Sequence, residues 1–353
     1  MIIKMNLIEV LRPFLRRIFL LLFFACFFTV IVPNSFSQVT TVKNTLDNGL
    51  TVLTSILPSS PVVSVYALVK TGSATEGEYL GTGISHFLEH MLFKSTDHRA
   101  VGEIASQIQA VGGSINASTG KDYTIYTITV PLEALDKAIE ILSDMISHTK
   151  IDDEETEKER AVIFNEMRLH NDDPDRRLND FMYTQVYIKH PYRHPIIGYR
   201  DLLSKVTAED LRQYYKIHYA PNNTIISIAG NVNVDQVMAK IQEHLGAYER
   251  QVETLRDLPL EPFQQRQKYV EMEYPTDLTR IVIAYKSVSI SDQDLYALDV
   301  LANILGQGES SRLYQHVLQE KSLVYSINAY NYTPIDNGIF GIEATLDGVN
   351  LDL

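Results

Sequence analysis

The residues best placed to do chemistry in this chain are two histidines four apart with a glutamate beside the second, His86-Phe87-Leu88-Glu89-His90. On a helix, positions i and i+4 sit one above the other on the same face, so His86 and His90 can offer two imidazole nitrogens to one metal ion. Zinc accepts such nitrogens at about 2.0–2.1 Å, and its catalytic sites keep three protein ligands and one open position. Glu89 lies three residues after His86, on an adjoining strip of the helix. From there a carboxylate can reach a metal-activated water and take its proton without being a ligand itself. The chemistry is metal-assisted hydrolysis. The plainer alternative is a surface His/Glu cluster on an amphipathic helix.

A third ligand has to come from elsewhere. The helical pattern over residues 152–170 carries Glu155, Glu159, Val162 and Glu166 along one face, with Glu159 and Glu166 two turns apart. A lone glutamate on an acidic helix is usually solvated. Here, however, Ala161, Val162, Ile163, Phe164 and Met167 are apolar, which predicts a substantially buried helix. A buried glutamate needs a charge partner, and a zinc ion is one.

With these residues in place, the chain resembles the pitrilysin/insulinase family of zinc peptidases, the inverzincins. It is most similar to the short bacterial members that look like mitochondrial processing peptidases. The family motif is H-x-x-E-H followed about 75 residues later by a glutamate, and 75 residues separate His90 from Glu166. The stretch Glu159-Arg160-Ala161-Val162-Ile163-Phe164-Asn165-Glu166 matches the second motif. Further similarity runs through Gly83-Ile84-Ser85, His190-Pro191-Tyr192 and Tyr219-Ala220-Pro221-Asn222-Asn223. The resemblance implies a zinc-dependent metalloendopeptidase acting on extended or unfolded peptides. It implies one Zn2+ on His86, His90 and Glu166, Glu89 as the catalytic base and Glu159 as an accessory catalytic acid. It further implies that Ile115-Asn116-Ala117-Ser118 is an edge strand to which a substrate adds. Asn116, Ala117, Ser118 and Thr119 are the candidate substrate-binding residues there, since main-chain pairing grips any extended peptide and small side chains allow close approach. A protected edge with no ligand is the alternative.

One departure concerns the second half. Many family members carry an Arg and a Tyr, seven apart, that contact substrate. Tyr325 fits the tyrosine and is a further candidate substrate-binding residue, but seven before it stands Leu318. Two-subunit relatives divide these parts, so a heteromeric homologue supplying the Arg/Tyr pair is an expected partner. A catalytically silent scaffold subunit and a factor dedicated to one propeptide are the rival readings. Among the other histidines, His190 and His194 are each followed by a proline, Pro191 and Pro195, which forbids a helix there. His98, His148, His170, His218, His244 and His316 read as isolated surface or satisfied positions.

The surrounding chain must position these groups. Alternating, β-branched stretches at 43–57, 61–71, 114–119, 122–130, 223–230, 279–286 and 338–345 predict strands. Periodic apolar stretches predict helices at 84–93, 101–111, 132–148, 152–170, 174–188, 207–218, 233–246 and 292–305. Both halves show strand, helix, helix, hairpin, and Ser114-Ile115-Asn116-Ala117 recurs as Ser326-Ile327-Asn328-Ala329. The fold class expected is α+β: two similar sheet-plus-helices domains, a duplicated unit enclosing a cavity, with the second domain incomplete at Leu353. The expected domains are a catalytic one over 38–248, a polar linker over 249–268 and a second homologous one over 269–353.

Residues 1–37 differ from the rest. Lys4, Arg12, Arg16 and Arg17 precede a fifteen-residue stretch, 18–32, that is apolar but for Thr29, then Pro33 and small residues before Gln38. This reads as a cleaved signal peptide and a periplasmic or secreted protein, against the alternative of an uncleaved anchor. The segment carries a net +3, so the remainder stands at −16 against −13 for the whole chain. That acidity argues against nucleic acid as a partner. Beyond the leader no membrane association is expected, and Cys26 is the chain's single cysteine.

Overall fold

Alternation of β-branched and aromatic residues with polar ones builds the first sheet, because successive side chains point to opposite faces and only one face enters the core. The computed structural model describes residues 39–252 and 257–352; the expected leader over 1–37 lies outside them. Six strands, β1 (Thr40–Thr45), β2 (Thr51–Ile56), β8 (Thr224–Gly230), β3 (Val62–Val69), β6 (Thr124–Pro131) and β5 (Ser114–Thr119), form one sheet in that order. Strand β5 is therefore a sheet edge. Every second residue of β3, β6 and β8 is buried, including Val65, Ala67, Tyr126, Ile128, Ile226 and Ile228.

Helices cover that face, except the Pro174–Val186 helix, which packs on the strand Thr279–Lys286 of the second half. The helices are α1 (Ile84–Met91), α2 (Glu103–Ala110), α3 (Leu135–Ser147), α4 (Asp153–Asp172), α5 (Pro174–Val186), α6 (Arg200–Leu203), α7 (Ala208–His218) and α8 (Val234–Leu245). Helix α3 lays Ala138, Ile139, Leu142, Met145 and Ile146 against β3 and β6, a helical-period stripe meeting a strand-period face. Helix α1 packs on β5, β6, α4 and α7. Two short strands, β4 (Ser95–Thr96) and β7 (Thr149–Lys150), pair antiparallel. Strand β4 follows α1 and β7 precedes α4, so this small ladder joins the two helices that carry the motif residues.

In the second half, β10 (Ser326–Tyr332), β11 (Ile339–Leu346) and β9 (Thr279–Lys286) make an antiparallel sheet in the order β10-β11-β9, with α9 (Leu295–Gly306) on β10. The first half repeats this order as β5-β6-β3, again antiparallel. The two Ser-Ile-Asn-Ala segments start equivalent hairpin strands, β5 and β10. A single wide π-helical turn over Tyr314–Gln319 holds Leu318. Among the described residues no helix is long and apolar enough to cross a membrane.

The joint between the sheets has its own apolar cluster, with Ala74, Met182, Val186, Tyr187, Tyr192 and Ile339 buried together. Around it, Tyr192 Oη donates to Asp122 Oδ1 (2.6 Å), Ile335 N donates to Asp122 Oδ2 (2.9 Å) and Tyr187 Oη donates to the Asn337 carbonyl (2.8 Å). The polar segment expected as a linker is anchored here. Glu261 accepts from Ile188 N, Lys189 N and His190 N at 2.8–2.9 Å and pairs with Lys286 (3.3 Å). Burial alone would raise its pKa, but these donors win and hold it below the usual carboxylate range. Glu261→Ala would strand three backbone N–H groups at once. The expected outcome is a loss of roughly 2 kcal/mol in urea unfolding, while Glu249→Ala, at a linker carboxylate that accepts from no such donors among the described residues, should change little.

Candidate metal centre

The site begins with the placing of α1. Its N-cap, Gly83, has φ +75° and no side chain to cap the helix. A Cβ on Gly83 would lie 2.3 Å from the Ile197 carbonyl oxygen, and one on Gly198 would lie 2.3 Å from that of Thr82. Glycine at both positions lets two backbones cross in contact, which fixes where α1 starts. The missing cap is supplied from a distance. Glu76 Oε1 accepts from Ser85 N (3.1 Å) and Oε2 from Gly81 N (3.2 Å). Nothing in the sequence pattern marks this residue.

Helix α4 starts on Asp152, which caps Glu154 N and Glu155 N, with acids through its first turn. It is held to α1 by Arg160, whose guanidinium lies 5.3 Å from the Phe87 ring centre and donates to the carbonyls of Leu203 and Val206. The helix is less buried than its apolar residues imply. Val162 is 52% exposed and Ala161 is exposed, while Ile163 and Met167 face inward. The buried glutamate on it is Glu159, 5% exposed, whereas the Glu166 side chain is 39% exposed. Four apolar residues in a row cannot all face inward on one helix, so their presence overstated the burial of Glu166.

The crossing of α1 and α4 brings His86, His90 and Glu166 together, with one ligand atom from each within 4.8 Å of the others. His86 Nε2 lies 3.3 Å from His90 Nε2, and Glu166 Oε2 lies 3.8 and 3.7 Å from the two nitrogens. Ligands 2.0–2.2 Å from a tetrahedral zinc are about 3.4 Å apart. The triangle therefore has the size, and two nitrogens with one carboxylate oxygen have the chemistry, for zinc with an open fourth position. His90 Nδ1–H donates to Glu159 Oε1 (2.7 Å), which leaves its Nε2 lone pair directed into the triangle. Glu159 also forms an ion pair with Lys94. His86 Nδ1 is buried without a hydrogen-bond partner among the described residues, so packing alone sets the orientation of that ring.

The electrostatics follow from burial and these contacts. Burial and the neighbouring His90 pull His86 down to about 3, so its imidazole is neutral. Burial also pulls on His90, but the Glu159 carboxylate outweighs it and the net shift is upward. Burial pushes Glu159 up, and His90 and Lys94 more than reverse this. Glu89, 8% exposed, is raised by burial against the opposing bond from Thr119, whose Oγ1 donates to Glu89 Oε2 (2.5 Å). Thr119 ends edge strand β5, so the strand end and Glu89 are coupled.

The other candidate residues are spread along two elements. Asn116, Ala117 and Ser118 lie along β5, with Asn116 and Ser118 exposed. Tyr325 is 62% exposed, and its hydroxyl donates to Asp347 (2.8 Å), not to a residue of the triangle. His98 and His148 are not isolated as the sequence suggested; both face Asp144. Their meeting depends on pairing of two-residue strands, which leaves no periodic signal.

Comparison with known proteins identifies the family. Residues 51–200 match the family described as Insulinase (Peptidase family M16), and residues 205–352 match the Peptidase M16 inactive domain. An uncharacterized zinc protease of Rickettsia felis is 36% identical over 313 residues, covering 87% of this chain and 74% of that protein. The uncharacterized zinc protease YmxG of Bacillus subtilis is 32% identical over 300 residues, covering 85% of this chain and 72% of its own. The crystal structure of a protease from Helicobacter pylori superimposes with a TM-score of 0.83 at 29% identity, covering 88% of this chain and 75% of that one. A two-domain α+β fold with His86, His90 and Glu166 clustered is that of a zinc peptidase family. The chain belongs to peptidase family M16, the insulinase family.

Glu76 makes the stability of the fold depend on pH. Burial, opposed by bonds from Ser85, Gly83 and Gly81, pushes its pKa from 4.5 up to about 8. Between those values the unfolded chain ionises Glu76 and the folded chain keeps it protonated. Its contribution is thus complete below pH 4.5 and lost as pH rises to 8, by up to about 1.4 kcal/mol per unit. Buried Lys121, lowered to about 8 by burial, acts only above that window. The unfolding free energy of wild type should therefore fall relative to that of Glu76→Gln as pH rises from 5 to 8; parallel curves would contradict this account.

Proposed function

We propose that this protein is a metalloendopeptidase that hydrolyses extended peptides, with His86, His90 and Glu166 holding one zinc ion and Glu89 acting as general base. The observation that carries the reading is the 3.3–3.8 Å triangle of two imidazole nitrogens and one carboxylate oxygen beside a buried, hydrogen-bonded Glu89. The names of the relatives, zinc proteases, support it. When bound, zinc supplies Lewis acidity that acidifies a water and polarises a carbonyl.

The chain's own residues do the rest. Glu89 sits close enough to the triangle for His90 and Glu166 to act on its charge. Thr119 occupies its Oε2, which leaves Oε1 to take a proton from water and deliver it to the departing amine. Burial raises the pKa of Glu89 toward the working pH, which favours both halves of that transfer. Glu159 is a positioning residue: it holds the Nδ1–H tautomer of His90 and touches no reacting atom. A peptide added at the β5 edge would run along Asn116, Ala117 and Ser118 and arrive at Thr119 beside Glu89. Tyr325 would contact the substrate from the second half. Leu318 offers no charge where a family arginine would stand, so a homologous partner carrying an Arg/Tyr pair completes the site.

The test is cleavage of a mixed library of unfolded peptides by zinc-loaded wild type and by Glu89→Gln. The variant should lose about 10²–10⁴-fold in rate while keeping its zinc. Equal rates would overturn the role of Glu89. Absence of cleavage by either, even with a co-expressed homologue bearing the Arg/Tyr pair, would favour a scaffold subunit.

A further inference from the structure

Asp144 divides its two oxygens between different tasks. Its Oδ2 accepts from Thr96 Oγ1 and Arg99 Nη1, both at 2.5 Å. Its Oδ1 faces His98 Nδ1 at 2.7 Å and His148 Nδ1 at 3.5 Å. The carboxylate is buried while both rings reach solvent, and the ring centres are 5.0 Å apart at 76°. One ligand atom from each of the three residues lies within 4.8 Å of the others. Arg99 and Lys137 already balance Asp144 and Glu140, so the imidazoles are not needed to neutralise the acid. A cleft of about 420 Å³ opens over the group, and a third imidazole, His244, lines it.

We infer that His98, Asp144 and His148 form a second metal site, for a borderline transition-metal dication such as zinc. Two imidazoles and one carboxylate oxygen select such an ion over magnesium or calcium, which take oxygen ligands. Arg99 fixes the carboxylate as an outer-sphere partner does. Seating the ion would widen the 2.7 Å contact by about 0.7 Å, which the exposed His98 ring can accommodate. The neighbouring Arg99 charge and the open cleft make this site weaker than the triangle on α1 and α4.

Its position gives it a consequence. His98 lies two residues beyond β4 and His148 one residue before β7, and Asp97 N donates to the His148 carbonyl (3.0 Å). An ion held there ties together the two strands that lead out of α1 and into α4. It would stabilise the register on which the first site depends without touching a substrate.

The experiment uses untagged, chelator-stripped protein carrying His86→Ala/His90→Ala, which removes the first site and makes the outcome independent of peptidase activity. Equilibrium dialysis against zinc should find one ion per chain, and zinc should raise the melting temperature. Adding His98→Ala/His148→Ala should abolish both effects while leaving the melting temperature in chelator unchanged. Should that variant fold poorly, His98→Asn alone, at an exposed ring, should weaken zinc binding at least tenfold. No zinc bound in the first background, or binding that survives loss of His98 and His148, overturns the proposal.

Discussion

A buried carboxylate must be compensated, and in this protein the compensation of Glu159 sets the position of the candidate site. Its two oxygens take a proton donor from His90 and an ion pair from Lys94, both of which belong to α1 or to the turn just after it. Removing either partner would leave charge in a place where water cannot replace it. Helix α4 therefore cannot slide along or rotate on α1 without exposing that penalty. Glu166, two turns beyond Glu159, is carried to the two imidazoles by the same constraint. The apolar core beneath contributes most of the stability, but it would tolerate small shifts that this polar contact does not.

The remaining placement is done from outside the helices. Glu76 caps α1 across nine residues of sequence, and the Gly83–Gly198 crossing fixes its start. Thr119 reaches Glu89 from the end of an edge strand. Each device acts on α1, so a single eight-residue helix is determined at its N-terminus, on its inner face and at its exit. The second half repeats the strand order of the first without the chemistry. At the offset of 212 set by the two Ser-Ile-Asn-Ala segments, Leu298-Asp299-Val300-Leu301-Ala302 falls where His86–His90 stands.

Much of this was legible beforehand because it depends on local periodicity. The strands at 114–119 and 279–286 and the helices over 152–170 and 207–218 lie within a few residues of their predicted limits, since alternation and 3.6-residue stripes report burial directly. His86, His90 and Glu166 were found from ligand spacing and a family motif together, and the structure brings these three into one cluster. What stayed hidden involves pairs distant in sequence: Glu76 with Ser85, Lys94 with Glu159, Thr119 with Glu89, and His98 with His148 through Asp144. No pattern within either partner encodes such a contact. The burial of Glu166 was overstated for a related reason, because apolar content says how much of a helix is covered and not which residue is.

The most direct test of the central claim is an anomalous difference map at the zinc absorption edge from crystals of the protein prepared with zinc. The account predicts a peak about 2.0–2.2 Å from His86 Nε2, His90 Nε2 and a Glu166 carboxylate oxygen together. A map with no density inside that triangle, or with a peak bound by only one of the three residues, would contradict it.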